Sequence, residues 1–213
     1  MDDLLKDLNP TFQLLILMAA LTFLPLMFVT MTSFLRFVIV FSILKTAMGT
    51  QQVPPGMVLI GLSVILTLYT MSPVFSDIYQ AGYKPYQETG SAVMAMKEGV
   101  KPLKMFMMKQ TRQKDIAFFI ETLGKEPPKT PEDIGLFEVA PAYIMSELKT
   151  AFEIGFIIFI PFIVIDLIVA NILLALGMFM LSPTIISLPF KLLIFIAVDG
   201  WSLIVNGLVQ SFN

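Results

Sequence analysis

The chain of 213 residues contains no cysteine and no histidine. Without cysteine there is no disulfide framework and no thiolate metal site, and the redox compartment leaves no mark. Without histidine the commonest general base and the commonest metal ligand are both missing. Charge is scarce as well: 14% of residues are Asp, Glu, Lys or Arg, where soluble domains carry about a quarter. A formal net charge of −2 argues against nucleic acid or an anionic lipid surface as the partner. No internal repeat, low-complexity tract or separate domain is visible.

What fills the sequence is apolar surface. Hydrophobic residues make up 56% of the chain and the mean hydropathy is +0.82, which points to a membrane protein. An uncharged run covers Phe12 to Leu35, with Pro25 expected as a kink. Arg36 and Lys45 bracket a shorter apolar piece, FVIVFSIL, and the turn signal GTQQVPPG follows at Gly49 to Gly56. Val58 to Ser76 is apolar again, and so are Ile154 to Leu176 and Ile185 to Val209. A span needs roughly 20 apolar residues, so four hydrophobic segments are expected to be long enough. The N-terminal MDDLLKDLNP is acidic where a secretory signal is basic, and no small-residue cleavage site follows. The expectation is that the first helix directs insertion.

The expected fold is all-α, with integral-membrane-like helical hairpins and kinked helices. One subunit, residues 1–213, divides into N-terminal hydrophobic helices (12–76), a polar and mostly helical middle (77–153), and a C-terminal hydrophobic hairpin (154–213). In the middle region, AVMAMKEGVKPLKMFMMKQTRQKDIAFFIETLG spaces its apolar residues by threes and fours, the pattern of amphipathic helices. EPPKTPEDIGLF reads as a loop into a helix start, with Thr130 as N-cap, Pro131 at the first position and Asp133 three on. This region holds ten of the fourteen basic residues and eleven acidic ones. Such a long mixed segment gives the positive-inside rule nothing to act on, and no membrane orientation follows.

Three charges interrupt the apolar C-terminal half: Asp166, Lys191 and Asp199. A charge at the bilayer centre costs at least about 2.5–3.5 kcal/mol, so such residues face protein, water or a partner charge. At about 1.5 Å per residue, Asp166 lies some 16 Å before Gly177 and Lys191 some 12 Å after Pro183. A hairpin therefore brings the two opposite charges to similar depth, and an ion pair is expected. The other use of such charges, a proton or ion relay, lacks histidine and further buried carboxylates.

An intramembrane aspartyl protease would need two carboxylates that share a proton. Asp199 is followed by Gly200 but preceded by Ala197 and Val198, not the Gly-x-Gly-Asp pattern, and a nearby Lys191 would keep both carboxylates ionised. Serine- and metal-dependent intramembrane proteolysis would need histidine. No enzyme, catalytic residue, cofactor or metal is expected.

Several stretches together resemble the FliP family, export-gate subunits of the flagellar type III secretion apparatus: MTSFLRFVIVFSILKTAMGTQQVPPGMVLIGL, MSPVF, KQTRQKDIAFF, PAYIMSELKTAFEIGFIIFIPFIVIDLIVANILLALGMFMLSP and ISLPFKLLIFIAVDGWSLI. SELKTAF, GTQQVPP and VDGW in combination are specific, and SFLR, GTQQ and TRQKD lean toward the flagellar branch rather than its injectisome counterpart, SctR. The resemblance covers about Phe23 to Phe212. One departure is the start, since many members carry a cleavable signal.

The resemblance implies a homopentamer that joins FliQ-like and FliR-like subunits, with FlhB-like and FlhA-like export components nearby. It implies passage of unfolded flagellar proteins across the bacterial inner membrane at the flagellar basal body. It also implies that apolar faces bury against other subunits in a helical ring rather than against lipid alone. On that footing Met178, Phe179, Met180 and Leu181, bounded by Gly177 and Pro183, become a methionine gasket. Thioethers are soft enough to close around nothing or around a passing chain, and a hydrophobic constriction resists water and ions when shut. Taken alone, those residues would be apolar filler.

Glu147, Lys149 and Glu153 stand just before the apolar helix. Lys149 and Glu153 are four apart and can meet on one face, either as a solvated helix start or as part of intersubunit ion pairs in the ring. Pro161 is expected to kink its helix, and Gly155, Gly177, Gly200 and Gly207 permit close helix approach. The reading from a different class is a small-solute or ion transporter that uses the buried Asp166 and Lys191.

Overall fold

Helix formation follows the apolar runs, but the helices stop where local side chains stop them rather than at the prolines. A computed structural model describes residues 9–50, 53–124, 130 and 133–212, with no strand among the described residues. The acidic stretch Met1 to Leu8, Gln51 and Gln52 of the turn signal, and Pro131 lie outside them.

Helix α1 is Pro10–Met31. The Asn9 side chain accepts a 3.2 Å hydrogen bond from the Thr11 amide, and Pro10 takes a first-turn position whose N–H would have no helical partner. The helix continues through Pro25 and ends at Thr32–Ser33. There the Thr32 hydroxyl donates to the Phe28 carbonyl at 2.5 Å and accepts from the Phe34 amide at 3.3 Å. Such local bonds offer the backbone an alternative to the helical ladder.

Helix α2 is Phe34–Ala47 and α3 is Gly56–Thr89. The latter carries the apolar Val58 to Ser76 and then runs on through Asp77 and Pro85, so the change in composition at Asp77 is not a helix end. Helices α4 (Ala92–Gln110) and α5 (Gln113–Thr122) come from the amphipathic middle. Helix α6 is Leu136–Ala175, about 60 Å at 1.5 Å per residue. It stays helical through Pro161. Before it, Asp133 accepts from the Thr130 amide and hydroxyl at 3.1 and 2.8 Å. The capping residues thus close a turn of their own, and the long helix starts at Leu136. Helices α7 (Pro183–Ala197) and α8 (Gly200–Gln210) end the chain.

Helices α3 and α6 are long and apolar enough to cross a membrane, and the α1–α2 and α7–α8 pairs raise the number to four if each is one span. The four apolar segments read from the sequence correspond to these.

The chain divides into two compact units. One comprises Met1–Leu35 with Thr67–Glu147, and its core joins Met107, Val139 and Tyr143 to Leu103 and Phe106, with a second cluster of Ile116, Ile120 and Ala142. Tyr143 donates to the Thr32 carbonyl at 2.8 Å, which satisfies a backbone group left open by the helix break. In the same unit, the Ser146 hydroxyl donates to Asp115 at 2.5 Å and accepts from the Arg112 amide at 3.0 Å, fixing the start of α5. Gly82 and Gly99 let α3 and α4 cross closely: a Cβ on Gly82 would lie 3.1 Å from the Ala95 carbonyl oxygen.

The other unit comprises Arg36–Leu66 with Leu148–Asn213. Its buried side chains include Phe37, Val40, Phe41 and Leu44 of α2, Phe195 of α7 and Leu208 of α8.

Candidate functional site

The residues singled out in the C-terminal half all fall in this second unit. Helix α6 ends in a reciprocal pair of backbone bonds: the Met178 amide donates to the Leu173 carbonyl at 2.9 Å, and the Gly177 amide to the Leu174 carbonyl at 3.1 Å. Gly177 sits at φ +73°, the left-handed turn that closes a helix in this way and that a Cβ disfavours. Pro183 then opens α7, with a fixed φ suited to a first turn and no N–H to lose. Gly177 and Pro183 therefore delimit a short connection at the tip of the α6–α7 hairpin.

Between them, Phe179 is 75% and Met180 100% exposed in the single chain, and Met178 and Leu181 are about half exposed. Met180 gains nothing from folding of the subunit alone, and its three apolar neighbours only part of what full burial would give. A Met or Phe side chain is worth about 1.5–3 kcal/mol when buried, so the stabilisation here is left to whatever meets the tip.

Below the tip the hairpin legs lock together. The Lys191 ammonium lies 2.7 Å from the Asp166 carboxylate and donates to the Ala47 carbonyl at 3.1 Å. Ser187 donates to the other Asp166 oxygen. Four residues back on α6 and four on along α7, Phe162 faces Phe195 with ring centroids 6.3 Å apart, the register of an antiparallel pair. Lys191 is 2% exposed, whereas the Asp166 side chain is about one-third exposed. The Ala47 carbonyl closes the C-terminal end of α2, so the ammonium meets both a carboxylate and the negative pole of a helix.

Asp199, grouped in the sequence with Asp166 and Lys191 as a buried charge, is not buried in the single chain. It is exposed, at φ 50°, and begins α8 with its carbonyl accepting from the Leu203 amide at 3.2 Å. Helices α7 and α8 meet there at 64°. The next residue, Gly200, lies against the Phe195 ring with no room for a Cβ, which explains the Asp-Gly pair without any proteolytic role. Of the remaining candidates, Glu147 is buried in the first unit, and Lys149 and Glu153 are exposed on α6 in the second. Gly155 is the one glycine of α6 that a neighbouring side chain, Ile43, closes over.

Arg36 was passed over in the sequence as a mere boundary of an apolar piece. It is 2% exposed and donates through Nη1 to the Ser211 carbonyl and hydroxyl, at 2.9 and 2.8 Å. Its guanidinium carbon stands 3.7 Å over the Phe212 ring. An arginine inside SFLRFVIVF is as costly in an apolar medium as Lys191, and that cost was the available signal. The Asp115–Ser146 bond was also missed, since nothing in TRQKD or SELK alone ties residues 31 apart.

Among the described residues, no group of three or more Asp or Glu is placed to hold a metal ion. These features define an all-helical protein with membrane-length apolar helices, a clamped C-terminal hairpin and an uncovered apolar tip. The chain belongs to the FliP family, whose model matches residues 17–208. It is 48% identical over 201 residues to the flagellar biosynthetic protein FliP of Buchnera aphidicola subsp. Baizongia pistaciae, covering 94% of this chain and 56% of that protein. The chain thus spans little more than half the length of that relative. It is 45% identical over 208 residues to flagellar biosynthetic protein FliP of Bacillus subtilis, covering 97% and 94%. Similarity extends to Yop proteins translocation protein R of Yersinia pestis, 45% identical over 207 residues and covering 94% and 95%.

Proposed function

We propose that this chain is a pore-forming core subunit of a type III protein export gate, which passes unfolded flagellar proteins across the bacterial inner membrane at the flagellar basal body. The chain works as a homo-oligomer, a pentamer, together with FliQ-like and FliR-like subunits and FlhB-like and FlhA-like export components. It binds and orients rather than catalyses. Membership of the FliP family supports the class, since its relatives are named for flagellar biosynthesis and for translocation of Yop proteins.

The observation that carries the mechanism is the uncovered tip at Met178 to Leu181, with Met180 fully exposed. In a ring, equivalent tips converge on the axis. Thioethers and one aromatic ring then fill the lumen without dictating the sequence of what passes. When nothing passes, their contact excludes water and ions by dewetting. Lys149 and Glu153 fall to intersubunit ion pairs in this reading, which fix register more than they stabilise, whereas Glu147, expected to join them, is buried within the subunit. The bonds that occupy Asp166 and Lys191 at both ends favour a structural pair over a transport site.

The absence of cysteine makes a direct test simple. A single Met180→Cys in the assembled membrane complex should give disulfide-linked pairs of subunits under mild oxidation. If tips of different subunits never cross-link in an assembled complex, the ring-axis seal is wrong.

A further inference from the structure

The bent C-terminal arm, α7 with α8, runs antiparallel along α2, and buried cations hold it at two places. Near the start of the arm, Lys191 of α7 reaches the last carbonyl of α2, at Ala47. At the end of the arm, Ser211 and Phe212 reach Arg36 in the first turn of α2. Between them, aromatic contacts continue the register: Phe41 with Trp201 at 6.5 Å and Phe37 with Phe212 at 5.5 Å between ring centroids.

The two fixings differ in kind. The Lys191 end is cross-braced by Asp166 and Ser187 on the hairpin. The partners at the Arg36 end include the backbone carbonyl and hydroxyl of Ser211 and the Phe212 ring. Between the two stands the only break in the arm, the 64° turn at Val198–Asp199. Asp199 is the single non-glycine residue with positive φ among the described residues. Aspartate is one of the few non-glycine residues that enter the left-handed region, and here it redirects the chain between α7 and α8.

We propose that Ser211 and Phe212 form a latch on Arg36, and that the Val198–Asp199 turn is the hinge of the segment it holds, so that α8 can release from α2 while α7 stays clamped by Lys191. Arg36 suits the task because Nη1 gives both bonds to Ser211 while the planar guanidinium face lies on the Phe212 ring, a stacking that a lysine lacks. Phe212 covers the guanidinium from above and packs on Phe37 beside it, so loss of the ring opens the cation and the α2 core at once. The latch stands on the contacts within one subunit and does not depend on the export reading.

Amide hydrogen exchange of the detergent-solubilised assembled complex, read by mass spectrometry, tests it. Phe212→Ala and Arg36→Met should raise the exchange rate of the last turn of α8 by about tenfold or more, while amides of α7 around Lys191 keep their protection. Arg36→Lys, with charge but no planar face for the Phe212 ring, should fall between wild type and Arg36→Met. Should Arg36→Met fail to fold, Ser211→Ala and Phe212→Ala leave the cation its backbone acceptor and carry the test. A change below about twofold in the last turn of α8, or a rise shared equally by α7, overturns the latch.

Discussion

Lys191 is held where its charge is expensive, and three oxygens explain how. The Asp166 carboxylate, the Ala47 carbonyl and, through Asp166, the Ser187 hydroxyl form one connected network. Removing one partner from a buried pair leaves a bare charge, whereas removing both leaves an apolar contact. Lys191→Met or Asp166→Asn alone should therefore lower the stability of the complex by on the order of 2–4 kcal/mol. That is below the ~3–5 of a fully buried pair, because the Asp166 side chain is one-third exposed. The double variant Asp166→Leu with Lys191→Met should recover most of the loss in thermal melting. If the double variant is as unstable as the worse single one, the pair does more than satisfy its own charges. The pairing was legible in the sequence because opposite charges at equal depth in a hairpin leave few options. Ser187 and Ala47 were not, since a hydroxyl and a carbonyl occur everywhere and only the fold selects these two.

At the scale of elements, the composition predicted which segments would be helical better than where they would end. The chain stays helical through Pro25 and Pro161, and the breaks fall at Thr32–Ser33 and Val198–Asp199. The reason is local. A proline costs one hydrogen bond and some crowding, which the packing of a long helix can absorb. A threonine that bonds two backbone groups, or an aspartate in the left-handed region, redirects the chain itself. The Gly177 end of α6 was legible, because Gly then Pro across six residues is a stop followed by a start.

Three glycines separate these effects by experiment. Gly177→Ala, at φ +73° in open space, should cost roughly 1–2 kcal/mol from backbone strain alone. Gly200→Ala drives a Cβ into the Phe195 ring and should cost about 1–3 kcal/mol through overpacking. Gly207→Ala meets nothing in the subunit and should be neutral, or stabilise by up to about 1 kcal/mol. Melting of the three purified variants ranks them. A destabilised Gly207→Ala would show that another chain packs against that face.

For the whole molecule, the telling quantity is how much apolar surface the subunit leaves uncovered. Phe152, Phe156, Ile157, Leu167 and Ile168 of α6 are all more than half exposed, as are Phe179 and Met180 at the tip. Lipid can cover the flanks of a helix; on the proposed reading the tip between α6 and α7 is covered by the tips of neighbouring subunits. That distinction came from family resemblance, because a methionine cluster between two apolar runs is by itself no more than filler. The central claim is that the tips of Met178, Phe179, Met180 and Leu181 seal a lumen rather than help the subunit fold. The most direct measurement is the ion conductance of membranes that carry the assembled complex in which Met178, Phe179 and Met180 are all alanine. The account predicts normal assembly and a membrane that leaks small ions. Unchanged conductance in a complex shown to be assembled would contradict it.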